Sequence, residues 1–482
     1  MGITIEDVIK SIKKYNPDAI PMVRKAYELS AKAHINQKRE SGEPYIIHPL
    51  HVCLNLTKFN ADEASLCAGL LHDVVEDTEY DIDYIKKEFN DEIAFLVDGV
   101  TKISNLHFPS KDEATNANIR RIINSLNDDV RIIIIKLCDR WHNMETLQYK
   151  EPHKQIRCAE ETLNIFVPLA YFIGAFRLKC DLEDMCLSYL EPDTYTSLKE
   201  KQQEILKDYE KCINKAKEDL IPLLHQHHIK HTIRAKIMNV YQIYKKLNKG
   251  YRINDIHDLV NIKIMVNKKE DCYKVLGLIH ELYTPLNQKF KDYIACPKTN
   301  MYRSLHTTVF GPDNHLIQFQ IKTHQMDQIN TIGLAAYWEE FKEEATGKMQ
   351  HDLKMNYQFF SSLQDINAYV QSDSEYIARV REEIFTNTIY VYSLSGEVVE
   401  LPYDSTVLDY AYKIHTNLGN HTYAAFVNGN QVELDLKLNN KDRVLIIPND
   451  DAHPTEEWLS YVVTSNAIRK IKDYLKEHQD VN

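Results

Sequence analysis

A chain of 482 residues has room for about three domains at roughly 150 residues each. Its formal charge of −12 argues against a broad electrostatic grip on nucleic acid, while leaving room for a local basic patch or a structured RNA partner. None of the nine cysteines forms a C-x-x-C pair, residues 1–21 do not read as a secretory leader, and no run of about 18 apolar residues follows, so a soluble cytoplasmic protein with reduced thiols and no membrane partner is expected.

Glycine is scarce, and neither a G-x-x-x-x-G-K-[ST] loop nor a G-x-G-x-x-G turn occurs, so phosphate binding would fall to side chains or a metal. Residues 1–195 read as mostly helical, with helical spacing of apolar positions in Val23 to His34, Ala64 to Val75 and Thr162 to Leu190. Glu191-Pro192-Asp193 breaks the pattern, and the charged stretch from Tyr195 to Leu224 reads as a long amphipathic helix opening the region 196–345. Within that region apolar alternation in Leu259 to Val266, Leu305 to Phe310 and Leu316 to Ile321, around a helical stretch from Glu270 to Leu282, predicts an α+β domain. A polar helical linker is expected over 346–385. Short strands at Thr388 to Tyr392, Glu397 to Leu401 and Arg443 to Pro448, with a helix near Val407 to His415, predict a small ubiquitin-sized domain over 386–450. The segment 451–482 is read as a closing helix from Glu456 to Lys476.

The most informative stretch is Leu70-Leu71-His72-Asp73-Val74-Val75-Glu76-Asp77-Thr78. Cys67, Leu70, Leu71 and Val74 form a helical stripe, and on a continuous helix His72 would lie beside Glu76, and Asp73 beside Glu76 and Asp77. Carboxylates crowded in this way repel unless a proton or a cation relieves them. Asp139 and Asn143 share a second helix face, and His48 offers another imidazole. Mixed imidazole and carboxylate donors suit manganese, iron or zinc. The plainer reading makes His72 and Asp73 capping or surface residues and pairs Asp139 with Arg140.

His48, His72-Asp73 and Asp139 resemble the four metal ligands of HD phosphohydrolases. The words Arg39-Glu40-Ser41-Gly42-Glu43-Pro44-Tyr45, Glu76-Asp77-Thr78, Asp98-Gly99-Val100-Thr101-Lys102 and Lys136 to Met144 resemble the hydrolase half of the RelA/SpoT homologues. The resemblance implies an all-α hydrolase domain with one ion, usually Mn2+, whose substrate is guanosine tetra- or pentaphosphate, (p)ppGpp. Glu76 and Asp77 would orient and deprotonate the attacking water, and Arg39, Ser41, Asn143 and Thr146 would hold the substrate. It also implies a helix over Ile132 to Ile135, where propensity alone favours a strand. Glu40 departs from the basic residue of many relatives, which implies weaker substrate binding.

The α+β region resembles the nucleotidyltransferase-like alarmone synthetase of the same family through Asp255 to Leu259, Phe290 to Ile294 and Tyr302 to Thr307. There Asp258 would bind magnesium and Tyr302 would stack on guanine, a guanine nucleotide still being held through Tyr302 and His306. Gln318 stands where the family has a glutamate, and an amide neither takes the attacking hydroxyl's proton nor holds magnesium well. Ala235-Lys236-Ile237-Met238 replaces the family's G-R-x-K, Met301 a glycine and Tyr337 a histidine, so a regulatory body without useful synthesis is expected. Residues 386–450 resemble the β-grasp TGS module, whose partners in relatives are uncharged tRNA or acyl carrier protein. The 482 residues show no sign of the long relatives' C-terminal ACT-like domain, which leaves open a naturally short protein or a chain cut at this point. The expected function is (p)ppGpp 3′-pyrophosphohydrolase, the alternatives being a bifunctional synthetase and hydrolase or an HD hydrolase of another 3′-phosphorylated nucleotide. His225, His227, His228 and His231 are read as a solvated polar face.

Overall fold

The computed structural model describes residues 2–104, 129–253, 256, 258–286, 289–295, 302–312, 315–333 and 388–479. They fall into two compact units, one containing the described residues up to 333 and the other 388–479. The helical and α+β regions are therefore one unit, while the linker expected over 346–385 lies outside the described residues. Among the described residues no helix is long and apolar enough to cross a membrane.

The first unit opens with α1 (Ile5–Ile12), α2 (Ile20–Ala33), α3 (Ile47–Thr57), α4 (Glu63–Leu71), α5 (Val74–Asp77), α6 (Ile82–Glu88) and α7 (Asp91–Ser104). Side-chain caps set several starts: Thr4 and Asp7 form a capping box on α1, and the Asp62 carboxylate accepts from the Ser65 amide at 2.9 Å on α4. α4 has no polar face, since every residue from Ala64 to Leu71 is buried. Its Gly69 allows α3 to approach so closely that a Cβ there would lie 2.4 Å from Leu56 Cδ1. α8 (Val130–Glu145) covers this pair, and Ile132 to Ile135 are helical and buried, as the resemblance implied.

The helix expected from Thr162 to Leu190 is interrupted. After α9 (Pro152–Glu161) come a π-helical turn over Thr162–Phe166, α10 (Val167–Phe172), a bend at Ile173 to Ala175, and α11 (Phe176–Leu190). Pro192, which the sequence marks as a breaker, is instead the first residue of α12 (Pro192–Gln226), where its missing amide hydrogen costs nothing.

The α+β part contains β1 (His231–Ile237), α13 (Val240–Asn248), β2 (Val260–Val266), α14 (Lys269–Leu282), β3 (Lys291–Asp292), β4 (Leu305–Phe310), β5 (Leu316–Thr323) and α15 (His324–Ile332). Its sheet runs β1-β2-β5-β4-β3 with β2 and β5 parallel. Ile262, Ile264, Val309, Ile317, Phe319 and Ile321 bury one face against Cys212, Ala216 and Leu220 of α12 and Val275 and Ile279 of α14. Alternate residues leave the other face polar. The two parts of this unit are joined by Asp184 of α11, whose carboxylate accepts from the amides of Val240 at 3.3 Å and Tyr241 at 2.8 Å, at the start of α13.

The second unit is a five-stranded sheet in the order β7-β6-β10-β8-β9. Its strands are β6 (Thr388–Ser393), β7 (Val398–Pro402), β8 (Thr422–Val427), β9 (Asn430–Val432) and β10 (Arg443–Pro448), with α16 (Val407–Ile414) and α17 (Thr416–Asn420) between β7 and β8. The closing segment, α18 (Trp458–Tyr461) and α19 (Ser465–Gln479), packs on α16 through Tyr412, Trp458 and Ile471. Buried Asp409 fixes that contact by accepting from the amides of Val463 and Thr464 at 3.1 and 2.9 Å.

Candidate metal centre

The helix expected to run through His72-Asp73 stops there: His72 caps the end of α4 and Asp73 precedes the four-residue α5. Asp73 makes no side-chain cap, so the capping reading does not hold for it, while His72 does sit at the C-cap of α4. The break turns both side chains toward His48 near the start of α3 and Asp139 on α8. His48 Nε2 lies 3.1 Å from Asp139 Oδ1 and 3.5 Å from Asp73 Oδ2, and His72 Nε2 lies 3.1 Å from Asp73 Oδ1 and 3.9 Å from Asp139 Oδ1. All four residues are buried.

These donors fit a metal. Bonds of about 2.0–2.2 Å from one ion place neighbouring ligand atoms about 3.0–3.5 Å apart, which matches the close contacts here. The fully buried Nε2 of His72 has Asp73 Oδ1 at 3.1 Å but no well-directed hydrogen bond, an arrangement that a coordination bond would satisfy. His72 Nδ1 donates to the Gly69 carbonyl at 2.9 Å, which leaves its Nε2 to face the cluster, and His48 Nδ1 shares a hydrogen with His142 Nδ1 at 2.8 Å.

The electrostatics favour a positive charge at the centre of the cluster. Burial alone would depress the His72 imidazole, but Asp73 and Asp139 reverse this and push it up to about 9. Burial opposes the charge on Asp139, yet Lys136, at 2.6 Å, and His48 hold its carboxyl well below the usual range. Asp139 therefore does not pair with Arg140, which bonds Glu161 at 3.0 Å instead.

Three of the four residues expected to hold substrate meet beside the cluster. Arg39 donates to Asn143 Oδ1 at 3.0 Å and to Thr146 Oγ1 at 3.3 Å. Ser41 bonds within its own loop, to Glu43 at 3.2 Å. Asp77 and Glu76 lie on α5 immediately beyond Asp73. The Tyr45 hydroxyl reaches both Asp77 Oδ2 and Asp73 Oδ2 at 2.9 Å.

Two residues in this arrangement carry no role in the sequence reading. Tyr45 ties the expected base to a metal ligand. His142 is held neutral, first by burial and then by His48, His51 and Arg39, which push it down to about 2, so it can accept from His48. Its position three residues after Asp139 on one helix face was the available signal. His51, His142 and Glu145 also converge, but the His51 and His142 rings stack at 4.4 Å and 12°, so their in-plane lone pairs cannot meet at one ion.

The transferase-like residues sit on the polar face of the first sheet or at its edge. The Tyr302 hydroxyl bonds His306 Nε2 at 2.8 Å, and the Tyr302 ring meets Phe176 of α11 edge-on at 5.6 Å. Asp258 is paired with Lys246. Gln318 Oε1 accepts from Gln320 Nε2 at 3.1 Å, and that amide also reaches Asn261 at 3.2 Å, so amides occupy this part of β5. Asp255, His257, Met301 and Tyr337 lie outside the described residues. The histidines after α12 form no metal-binding group among the described residues.

Comparison with known proteins divides the chain in the same way. Residues 26–176 match the HD domain, 233–346 the region found in RelA/SpoT proteins, and 389–448 the TGS domain. A GTP pyrophosphokinase of Myxococcus xanthus is 37% identical over 97% of this chain and 62% of its own. A guanosine-3′,5′-bis(diphosphate) 3′-pyrophosphohydrolase of Aquifex aeolicus is 37% identical over 99% of this chain and 68% of its own. The bifunctional (p)ppGpp synthase/hydrolase SpoT of Escherichia coli is 37% identical over 98% and 67%. This chain thus spans about two thirds of the length of these relatives.

Proposed function

The chain belongs to the RelA/SpoT family, and from that premise we propose that it is a metal-dependent hydrolase that removes the 3′-diphosphate from (p)ppGpp. The relatives' names divide between synthesis, hydrolysis and both, so the choice rests on a contrast between the two sites. One gathers two imidazoles and two carboxylates around an unsatisfied nitrogen of His72, while the other holds the neutral Gln318 in an amide network.

His48, His72, Asp73 and Asp139 would hold the ion, which we take to be manganese. When bound, it would supply Lewis-acid activation of a water and a phosphoryl oxygen. Asp77, fixed by Tyr45, and Glu76 orient that water and take its proton, help worth roughly 10²–10⁴ in rate. Arg39 presents its guanidinium to the phosphates from a mount of Asn143 and Thr146, and Ser41 contacts the nucleotide from the loop. Water oxygen joins phosphorus, the bond from phosphorus to the ribose 3′ oxygen breaks, and the proton passes to that oxygen. The products are pyrophosphate and GDP or GTP.

In this reading the synthetase-like body regulates, the TGS-like unit meets uncharged tRNA or acyl carrier protein, and the work is cytoplasmic. The retained Tyr302–His306 pair favours bifunctionality as the second reading. Purified protein with manganese and guanosine tetraphosphate should release pyrophosphate and GDP, and the release should be lost in Asp73→Ala and Asp139→Ala. No release from intact, metal-loaded protein would overturn the assignment, and pyrophosphate transfer from labelled ATP to GDP would favour the second reading.

A further inference from the structure

The segment from His34 to Tyr45 folds back on itself as a small hairpin. The Tyr45 amide donates to the Gln37 carbonyl at 3.0 Å, Lys38 and Pro44 are bridged, and the Arg39 amide donates to the Glu43 carbonyl at 2.9 Å. Gly42, at φ 85°, makes the turn. Arg39 and Ser41 therefore ride on the outer end of the hairpin, while Gln37 and Tyr45 form its base.

That base meets Asp77 at two points. The Gln37 side chain donates through Nε2 to the Asp77 backbone carbonyl at 2.8 Å, and the Tyr45 hydroxyl donates to the Asp77 carboxylate at 2.9 Å. α5 needs such support. It is one turn long, with the Asp77 amide bonded to the Asp73 carbonyl at 2.9 Å, and a single turn has too few internal bonds to hold its last residue in place.

His34 completes the arrangement. A carbonyl can only accept, so the contact with Asp77 turns the Gln37 amide nitrogen toward α5 and its Oε1 toward His34, whose Nδ1 lies 2.6 Å away and carries the hydrogen. The same ring stacks on Tyr45 at 4.7 Å and 27°. Its Nε2 is then a bare acceptor, buried without a hydrogen-bond partner among the described residues. An apolar ring would fill this place without leaving an acceptor unsatisfied. What the imidazole adds is a donor to Gln37 from a ring that also stacks on Tyr45.

We propose that His34 and Gln37 are positioning residues for the attack of water, acting through Asp77. His34 sets Gln37 and Tyr45, and these two fix the backbone and the carboxylate of Asp77 on the frame that also carries Arg39. Base and substrate-binding cation thus share one hairpin. The inference rests on the hydrolase reading above, in which Asp77 takes the proton of the attacking water.

The test compares steady-state hydrolysis of guanosine tetraphosphate at saturating manganese by the full chain, Gln37→Leu, His34→Phe and the double variant, with manganese-induced melting as a second readout. Leucine removes the donor to Asp77, and phenylalanine keeps the stack on Tyr45 while removing the donor to Gln37. Each single variant should lose about tenfold in kcat, as removal of a supporting hydrogen bond does, with KM and the manganese-induced rise in melting temperature as in the parent. The double variant should fall no further, because both changes cut one chain of contacts. Gln37 is half-buried, so Gln37→Leu folds and decides alone where His34→Phe does not fold. Parental kcat in Gln37→Leu, a loss carried by KM or joined by a lost response to manganese, or additive losses in the double variant would overturn the proposal while the parent still hydrolyses. No release by the metal-loaded parent would overturn the hydrolase reading, and the proposal with it.

Discussion

The Tyr45 hydroxyl lies 2.9 Å from Asp77 Oδ2, and the same oxygen lies 2.9 Å from Asp73 Oδ2. A single side chain therefore fixes the expected base relative to a metal ligand, and the Tyr45 ring is itself held by stacking on His34 at 4.7 Å. Tyr45→Phe keeps the ring and removes the tether. Hydrolysis of guanosine tetraphosphate should fall about 10–100-fold, the usual cost of losing a partner behind a metal ligand, while manganese still raises the melting temperature. An unchanged rate would show that Asp77 needs no such positioning.

Metal should act on both activity and stability. Ion binding to the folded chain alone adds roughly 2.7 kcal/mol at about 100 times the dissociation constant. Dialysis against EDTA should abolish hydrolysis and lower the melting temperature, and manganese should restore both. Asp73→Ala should show neither response to manganese, because the remaining carboxylate, Asp139, already has Lys136 at 2.6 Å. A melting temperature of Asp73→Ala that rises with manganese as in the parent would place the ion elsewhere.

Arg39 is mounted for binding. Its guanidinium spans Asn143, Thr146 and His142, so Arg39→Ala should reduce kcat/KM about 10–100-fold, as expected for losing bonds to a charged group, with most of the change in KM. Arg39→Lys should recover little, since an ammonium cannot reproduce that fork. Steady-state kinetics at saturating manganese decide this, and a pure kcat effect would move Arg39 into the chemical step.

Much of this site was legible because its words are short and dense, and the structure shows which physical features were not. The apolar stripe through Cys67, Leu70, Leu71 and Val74 keeps helical spacing across a helix that ends at Leu71. Periodicity registers burial, and both sides of the break are buried. Polar β1 escaped because Arg234 and Lys236 alternate with Ile233 and Ile237, a strand pattern hidden inside a stretch compared only with the family's G-R-x-K. The His48–His142 bond joins residues 94 apart in sequence, a proximity that local spacing cannot express.

Restoring the carboxylate at position 318 tests the reading of the second site. Gln318 now accepts from Gln320, and a glutamate there would keep that contact while gaining a charge able to hold magnesium and accept a proton. The parent should transfer no measurable pyrophosphate from labelled ATP to GDP, and Gln318→Glu should transfer more. Robust transfer by the parent would make the chain bifunctional.

The join between the two parts of the first unit depends on a glycine. Gly333 ends α15 at φ 63° and ψ −138°, a backbone conformation suited to glycine, and a Cβ there would lie 1.8 Å from the Ile173 carbonyl oxygen in the bend before α11. Gly250 also has a positive φ, 86°, but a Cβ there would meet nothing within 4 Å. Comparing alanine at the two positions separates backbone strain from collision. Gly250→Ala should cost about 1 kcal/mol in urea unfolding, from strain alone. Gly333→Ala should cost about 2–4 kcal/mol, because the bend must also give way. Equal costs would mean that the bend yields freely, and that α15 does not hold the helical part in place.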